Sequence, residues 1–435
     1  MNAIAQRLLD KIERREARVG TVGLGYVGLP LSVEFAQGGV SVTGFDLASD
    51  KVDAVNRGES YIRDVRGDVV ARLVQEGRLR ASDDFEDLAG CDAVVICVPT
   101  PLGKTKDPDL SMVVGATQAI AKRLREGQLV VLESTTYPGT TEELLLPILA
   151  ESGLAVGESF FLAFSPERVD PGNPRFKTRN TPKIIGGVTP TCTRVAQALY
   201  AHAVETVIPV SSTRTAEMVK LLENTFRSVN IGLVNEVALM CDRLGVDVWE
   251  VIDAAASKPF GFMPFYPGPG LGGHCIPVDP LYLSWKLKTL NYRARFIELA
   301  GEINSAMPEY VCDRVAWALN ERQRSVKGSR VLVLGVSYKR DVEDVRESPA
   351  LDILKILESR GASIGYNDPH VPELPWNGST LQSEELMAGI RRADVTVIVT
   401  DHTCYPYREI VDNAKVVVDT RNATKGIASE KILKI

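Results

Sequence analysis

Short apolar runs and longer stretches of mixed apolar and polar residues divide this chain into strands and helices. From Arg18 to Asp46, RVGTVGLGYVGLPLSVEFAQGGVSVTGFD reads as a strand, a glycine turn, a helix and a second strand. That is one βαβ unit. Further apolar runs at 93–99 (AVVICVP), 129–135 (LVVLEST) and 160–166 (FFLAFSP), separated by helical patterns, predict a doubly wound parallel sheet buried on both faces. From Thr213 the pattern changes to a long helical stretch, TAEMVKLLENTFRSVNIGLVNEVALMCDRLG, then a second helix and a loop dense in Gly and Pro, FYPGPGLGGHCIPVDP. Helices continue to about residue 324, where a fresh βαβ unit starts at 329–338 (SRVLVLGVSY), with strand signals again at 363–368, 395–400 and 415–420. The predicted fold class is α/β, two Rossmann-like doubly wound domains joined by a central helical segment, with boundaries at 1–210, 211–324 and 325–435.

Composition narrows the class. A chain of 435 residues exceeds one ordinary core, and 45% apolar with 24% charged residues are globular values. A net charge of −6 without a long basic run excludes the positive footprint of a nucleic-acid binder. The opening segment MNAIAQRLLDKIERREAR is amphipathic and charged and lacks the apolar stretch of a signal peptide, and no later apolar run approaches roughly 18 residues. A cytoplasmic protein that does not enter a membrane is expected. The seven cysteines are scattered without a CxxC pair and there are four histidines, so neither a disulfide framework nor a metal site is expected.

Three places carry candidate chemistry. Gly23, Gly25 and Gly28 form G-x-G-x-x-G directly after a strand and before a helix, where backbone N–H groups and the helix N-terminus can receive a pyrophosphate. Asp46 ends the next strand, placed to bond the ribose hydroxyls and to repel a 2′-phosphate, which favours NAD over NADP. The second α/β domain has no such turn, since Gly335 is followed by VSYKRD. Thr100, Thr135 and Glu167 follow strand runs at the edge where ligands sit in such sheets, although each taken alone is more often a cap or turn residue. Cys275 lies in a Gly/Pro loop with no reason to be core and is the best candidate nucleophile, whereas the other cysteines fall mostly in apolar patterns. His274 beside it is not assigned as its base, because adjacent side chains seldom face each other. Lys220 and Asn224, four apart on the long helix with Arg227 one turn on, share a face that either lines a pocket or is simply solvated.

Together these motifs resemble the UDP-glucose/GDP-mannose dehydrogenase family, from about Arg18 to Thr420. The resemblance is carried by VGLGYVGLP (22–30), VPTP (98–101), EST with PGTT (133–135, 138–141), SPER (165–168), VKLLENTFR (219–227), GGHCIPVDP (272–280) and YKRDVEDVRESP (338–349). Within the family, SPERVDPGN, KPFGFMPFYPGPGLGGHCIPVDP and RFIELAGEIN are most similar to the UDP-N-acetylglucosamine 6-dehydrogenase branch, which supplies acidic sugars for bacterial surface polysaccharides. Val278 and Glu133 stand where the UDP-glucose enzymes commonly carry Lys.

The resemblance implies an N-terminal NAD domain, a central helical dimerisation segment, a C-terminal UDP-binding domain and a homo-oligomer of at least two chains. It implies oxidation of a sugar CH2OH to a carboxylate in two steps, each consuming one NAD, through a cysteine thiohemiacetal and thioester. Cys275 is then the nucleophile, Lys220 the proton donor and acceptor and Asp279 its aid, with Asn224 and Glu167 positioning substrate and water. Tyr26, Val27, Asp46, Lys51, Thr100, Thr135 and Arg346 match NAD-contact positions. Arg168, Val169, Arg227, Gly272, Tyr338, Lys339 and Arg421 match nucleotide-sugar contacts, which Lys220 and Asn224 share. UDP-N-acetylmannosamine, UDP-glucose and GDP-mannose are the alternative substrates. A non-oxidising nucleotide-sugar binder is the alternative of a different class, against which the presence of Cys275, Lys220 and Asp279 together argues.

Overall fold

The computed structural model describes residues 2–103, 107–170, 172–173, 175–273 and 275–435. His274 and Pro171, which belong to motifs named above, lie outside the described residues. The chain divides into two compact units, residues 1–223 with 281–291 and residues 224–280 with 292–435.

In the first unit eight strands among the described residues build one sheet: β1 (Arg18–Val22), β2 (Ser41–Phe45), β3 (Leu79–Ser82), β4 (Ala93–Ile96), β5 (Leu129–Leu132), β6 (Phe161–Phe164), β7 (Lys183–Gly187) and β8 (Val207–Val210). Their order is β3-β2-β1-β4-β5-β6-β7-β8, the Rossmann arrangement extended by two strands. Side chains alternate across each strand, so Ala93, Val95, Leu129 and Val131 enter one apolar cluster, while Val94, Ile96, Val130 and Leu132 enter another. Helices cover both faces, which is why these strands read as unbroken apolar runs. One of them is the first helix, Ala3–Glu13. The Asn2 side chain caps it by accepting from Ala5 N–H, and its buried residues Ala5, Leu8, Leu9 and Ile12 recur with helical spacing.

The sheet departs from the expected all-parallel form at one pair, since β7 runs antiparallel to β6. The intervening chain, residues 165–182, contains no helix among its described residues, so it returns along the neighbouring strand without the crossover that a parallel pair requires. Strands β3, β7 and β8 carry weaker signals than the others. LRAS alternates with exposed residues, KIIGG opens on a charge and closes on two glycines, and VIPV contains proline on an edge strand. The apolar runs also overshoot the ladders, because residues 97–99, 133–135 and 165–166 have left the sheet. Thr135 lies in one of these overshoots, and Thr100, Glu167 and Arg168 follow directly on the other two.

In the second unit β9 (Arg330–Leu334), β10 (Ser363–Asn367), β13 (Val395–Ile398), β14 (Val417–Asp419) and β15 (Ile432–Lys434) form a fully parallel sheet in the order β10-β9-β13-β14-β15. Between β10 and β13 the chain makes a hairpin of β11 (Glu373–Trp376) and β12 (Ser379–Gln382). It turns at Asn377 and Gly378, both with positive φ, the residue pair that such two-residue turns favour. Helices Thr213–Leu244, Val248–Ala256 and Arg295–Asn320 supply the helical segment. The fold is thus α/β with two Rossmann-like sheets and a central helix. Among the described residues, no helix is long and apolar enough to cross a membrane.

Candidate active site

The glycine turn after β1 is built by close approach. Gly23 has φ +93° and a Cβ there would lie 2.7 Å from the Cys97 carbonyl oxygen, while a Cβ on Gly28 would lie 1.8 Å from the Gly23 carbonyl oxygen. Only glycine allows the strand and the helix Gly28–Gln37 to pack this tightly. At Gly25 an added Cβ would meet nothing within 4 Å, which leaves open space over the helix N-terminus. This is the cradle a pyrophosphate requires, with Val27 partly buried at the N-cap and Tyr26 exposed. The Asp46 carboxylate accepts from Leu24 N–H at 2.8 Å, from Ala48 N–H at 3.0 Å and from Lys51 Nζ at 3.3 Å, so it is held at the end of β2 with Lys51 beside it. The residues present fit NAD.

A second cluster in this unit gathers the residues that leave β5 and β6. Lys220, on the helix Thr213–Leu244, donates from Nζ to Thr135 Oγ1 and is 7% exposed. Thr100 offers its carbonyl oxygen to the Tyr282 hydroxyl at 2.6 Å. Glu167 accepts from Val169 N–H at 2.6 Å and from Lys183 Nζ at 2.9 Å. Lys183 is itself buried and donates to Glu133, which also accepts from the Tyr200 hydroxyl. Burial opposes the charge of Glu167, but Lys183, the Val169 N–H and Lys220 outweigh it and hold the carboxyl down at about 2. Glu133 goes the other way, pushed up to about 7 by burial that Lys183 only partly offsets. Arg168 donates to the Glu223 carboxylate at 2.6 Å and to the Pro182 carbonyl at 2.6 Å. Sequence reasoning passed over Lys183 altogether, although a lysine heading an otherwise apolar strand is the signal that marks it.

In the second unit Asn224 is the middle of a chain of side chains. Its Nδ2 donates to Asp279 and its Oδ1 accepts from Arg227, and Asn224 and Asp279 are buried. Cys275 is half-buried, and its carbonyl receives the N–H groups of Val278 and Asp279 at 3.1 and 2.7 Å as the helix Asp279–Lys288 begins. The other cysteines are poor nucleophiles with one exception. Cys91, Cys97, Cys192, Cys241 and Cys312 are buried, and burial pushes the thiols of Cys91 and Cys312 up to about 11 and about 12, while Cys404 is exposed.

The Gly/Pro loop packs on three residues of the second unit expected to hold the nucleotide sugar or cofactor. A Cβ on Gly272 would lie 2.7 Å from Tyr338 Cβ, one on Gly268 would lie 2.5 Å from an Arg421 nitrogen, and Gly273 N–H donates to the Arg346 carbonyl at 3.1 Å. The Arg346 guanidinium pairs with Asp344 at 2.6 Å, and Lys339 is partly buried between Tyr338 and the exposed Arg340. Arg421 donates to the Val399 carbonyl at 2.9 Å, and burial lowers its pKa. Asp341, His370 and His402 also converge, with potential ligand atoms within 4.8 Å of one another. Both nitrogens of His402 are engaged, however. Nδ1 accepts from Asp341 N–H at 2.9 Å and Nε2 lies 3.0 Å from Asp368, so these groups tie together the loops after β9, β10 and β13.

Three models of the UDP-glucose/GDP-mannose dehydrogenase family match the chain: the NAD binding domain at residues 17–204, the central domain at 214–306 and the UDP binding domain at 332–426. The chain belongs to the UDP-glucose/GDP-mannose dehydrogenase family and is an NAD-dependent nucleotide-sugar dehydrogenase, an oxidoreductase. Among curated relatives, the NDP-N-acetyl-D-galactosaminuronic acid dehydrogenase of Ralstonia nicotianae is 39% identical over 93% of this chain and 95% of its own. The UDP-N-acetyl-D-glucosamine 6-dehydrogenase of Pseudomonas aeruginosa is 37% identical over 82% of this chain and 84% of its own. The solved structure of the UDP-D-ManNAc dehydrogenase of Pyrococcus horikoshii superposes with a TM-score of 0.88 at 34% identity, covering 96% of this chain and 99% of that one.

Proposed function

We propose that the chain oxidises C6 of UDP-N-acetylglucosamine to UDP-N-acetylglucosaminuronate, a four-electron reaction that passes through a covalent adduct on Cys275. The observation that carries this reading is a half-buried thiol at the head of a helix whose first residue, Asp279, is joined to Asn224 and Arg227. NAD, when bound, supplies the hydride acceptor for both oxidations. Lys220 takes the C6 hydroxyl proton and, with Asn224, donates to the oxyanion that forms at C6. Cys275 adds to the aldehyde, and Asp279 and Glu167 orient the water that cleaves the resulting thioester. Gly272, Tyr338, Lys339, Arg421, Arg168, Val169 and Arg227 hold the nucleotide sugar.

The sugar is read from Val278 in place of Lys and from the approach FGFMPFYPGPG, where Phe260, Phe262 and Met263 are exposed and can meet an acetyl methyl. Relatives named for N-acetylated sugars support the acetamido class. Burying a methyl contributes about 1 kcal/mol, a preference of roughly five- to tenfold. A polar group aimed at the acetamide and left unpaired by UDP-glucose adds about 1 to 3 kcal/mol, which raises discrimination to roughly a hundredfold. Steady-state kcat/KM for UDP-N-acetylglucosamine, its manno epimer, UDP-glucose and GDP-mannose, measured side by side, tests the reading. Equal or faster use of UDP-glucose sinks it.

Gly23, Gly25, Gly28, Tyr26, Val27, Asp46, Lys51, Thr100, Thr135 and Arg346 are the residues we assign to NAD. Lys51 sits 3.3 Å from Asp46, and removing the carboxylate leaves that cation to receive a 2′-phosphate. Asp46→Ala is therefore expected to raise the NADP/NAD ratio of kcat/KM by at least about tenfold, the size of one like-charge contact near 1.4 kcal/mol. An unchanged ratio would show that Asp46 does not face the ribose.

Segments 1–210, 211–324 and 325–435 then act as NAD domain, dimerisation segment and UDP-sugar domain. Phe226, Leu233 and Met240 lie exposed along the helix Thr213–Leu244, an apolar stripe suited to a second copy of the chain. A cytoplasmic location accords with its two nucleotide ligands, and the acidic sugar serves polysaccharide synthesis.

A further inference from the structure

The buried group Glu133–Lys183–Glu167 has no counterpart in the residues expected to act, yet it ends on one of them. Glu133 is the first residue after β5, Glu167 follows β6, and Lys183 opens β7, which runs back along β6. That reversal places Lys183 between the two carboxylates, donating to both. The side chains of Lys183, Glu133 and Glu167 are 3%, 0% and 12% exposed, so Glu167 is the most exposed member of the group. Two carboxylates and one ammonium carry one net negative charge, enough to accept one proton.

We propose that Lys183 and Glu133 are positioning residues of the hydrolytic half-reaction: they hold Glu167 toward the attacking water and draw off the proton that Glu167 receives. This rests on the reading above that Cys275 forms a thioester. When water attacks, its oxygen bonds to C6, the C–S bond breaks, and the electron pair stays on the sulfur of Cys275. One proton of the water passes to Glu167, while Lys183 gives a proton to Glu133 and takes the one on Glu167. The other leaves the new carboxyl for the thiolate. Glu133 ends protonated, and Lys183 and Glu167 return to their starting charges.

The surroundings suit each part. Glu167 is held down at about 2 against burial by Lys183, the Val169 N–H and Lys220, so a proton that reaches it is passed on rather than stored. Glu133, raised to about 7 by burial and faced by Lys183, Glu167, the Tyr200 hydroxyl and the Cys97 thiol, can store one. A carboxyl so raised is empty above about pH 7 and filled below it. Turnover limited by hydrolysis then falls as pH drops through that value.

The test is Glu133→Gln in the full chain, assayed with the UDP-N-acetylhexosamine that the wild type oxidises fastest. Gln keeps the bond to Lys183 but cannot store the proton. The expected result is an undiminished first burst of NADH, a steady-state rate lowered roughly 10- to 100-fold as for loss of a proton acceptor, and the acyl adduct on Cys275 visible by protein mass. Tyr200→Phe is the second variant. It keeps the ring, packed edge-on against Phe35 at 5.3 Å, and deletes one donor to Glu133, which raises that carboxyl further and moves the acid limb of the rate to higher pH. Lys183→Arg keeps a charge beside both carboxylates but does not give up a proton, so its steady-state rate should stay as low as that of Lys183→Met. Wild-type turnover with Glu133→Gln unchanged in rate and pH profile, or with burst and steady state lowered equally, overturns the proposal alone, as does an unmoved acid limb in Tyr200→Phe. No NADH from the wild type with any UDP-sugar overturns the thioester reading and the proposal with it.

Discussion

Cys275→Ser is expected to abolish net acid formation, with the overall rate down roughly 10,000-fold or more, as when the nucleophile of other covalent catalysts is removed. A serine hydroxyl is a far weaker nucleophile than a thiolate near neutral pH, so the aldehyde has nothing to capture it for the second oxidation. Binding of NAD and UDP-sugar should be unaltered, because the loop that carries Cys275 is held by its backbone. The Cys275 carbonyl receives two N–H groups and Gly273 N–H reaches the Arg346 carbonyl, and none of these bonds involves sulfur. Cys404, the exposed thiol, supplies the control, and Cys404→Ser should turn over normally. Isothermal titration of both ligands beside an NADH assay checks the pair. Normal turnover by Cys275→Ser would remove this residue from the mechanism.

The second large effect is expected at Lys220. Lys220→Met keeps most of the side-chain volume and removes the charge and the bond to Thr135, and kcat should fall about 1,000-fold, within the range for loss of a general acid–base group that also stabilises an oxyanion. The loss must appear in the first turnover, since the C6 hydroxyl proton leaves in the first oxidation. That separates Lys220 from Glu133, whose replacement should spare the burst and slow only hydrolysis. Lys220→Arg is not expected to rescue, because a guanidinium does not give up a proton near neutral pH. Stopped-flow NADH traces for these variants are the measurement. A Lys220→Met burst at the wild-type rate would exclude Lys220 from the first oxidation.

Several parts of this protein were legible from residue order because their physics is local. The glycine turn at Gly23 to Gly28 depends on backbone approach between a strand and the helix that follows it, and the positive φ of Gly23 and the missing Cβ of Gly28 are properties of those residues themselves. Strands buried on both faces announce themselves as apolar runs, and Lys220, Asn224 and Arg227 belong to one helical repeat. Cys275 stood out because its surroundings in sequence, glycine and proline, cannot be core.

Other features depended on strand order, which residue order does not state. Glu133 and Lys183 are fifty residues apart and Lys183 and Glu167 sixteen apart, and they meet because β5, β6 and β7 are neighbours and β7 is reversed. As a departure at a single position, Glu133 looked like a matter of sugar choice. Its side chain is completely buried, paired with Lys183 and the Tyr200 hydroxyl, and Lys183 in turn donates to Glu167. Asn224 is likewise a polar residue on a helix until the return of the chain at residue 279 supplies its carboxylate partner. Sequence thus determined where the backbone must bend, pack closely or stay buried, because those demands act on neighbours along the chain. Only the tertiary structure decided which charges meet and how deeply they are buried, because that follows from distance in space and the exclusion of water around the group.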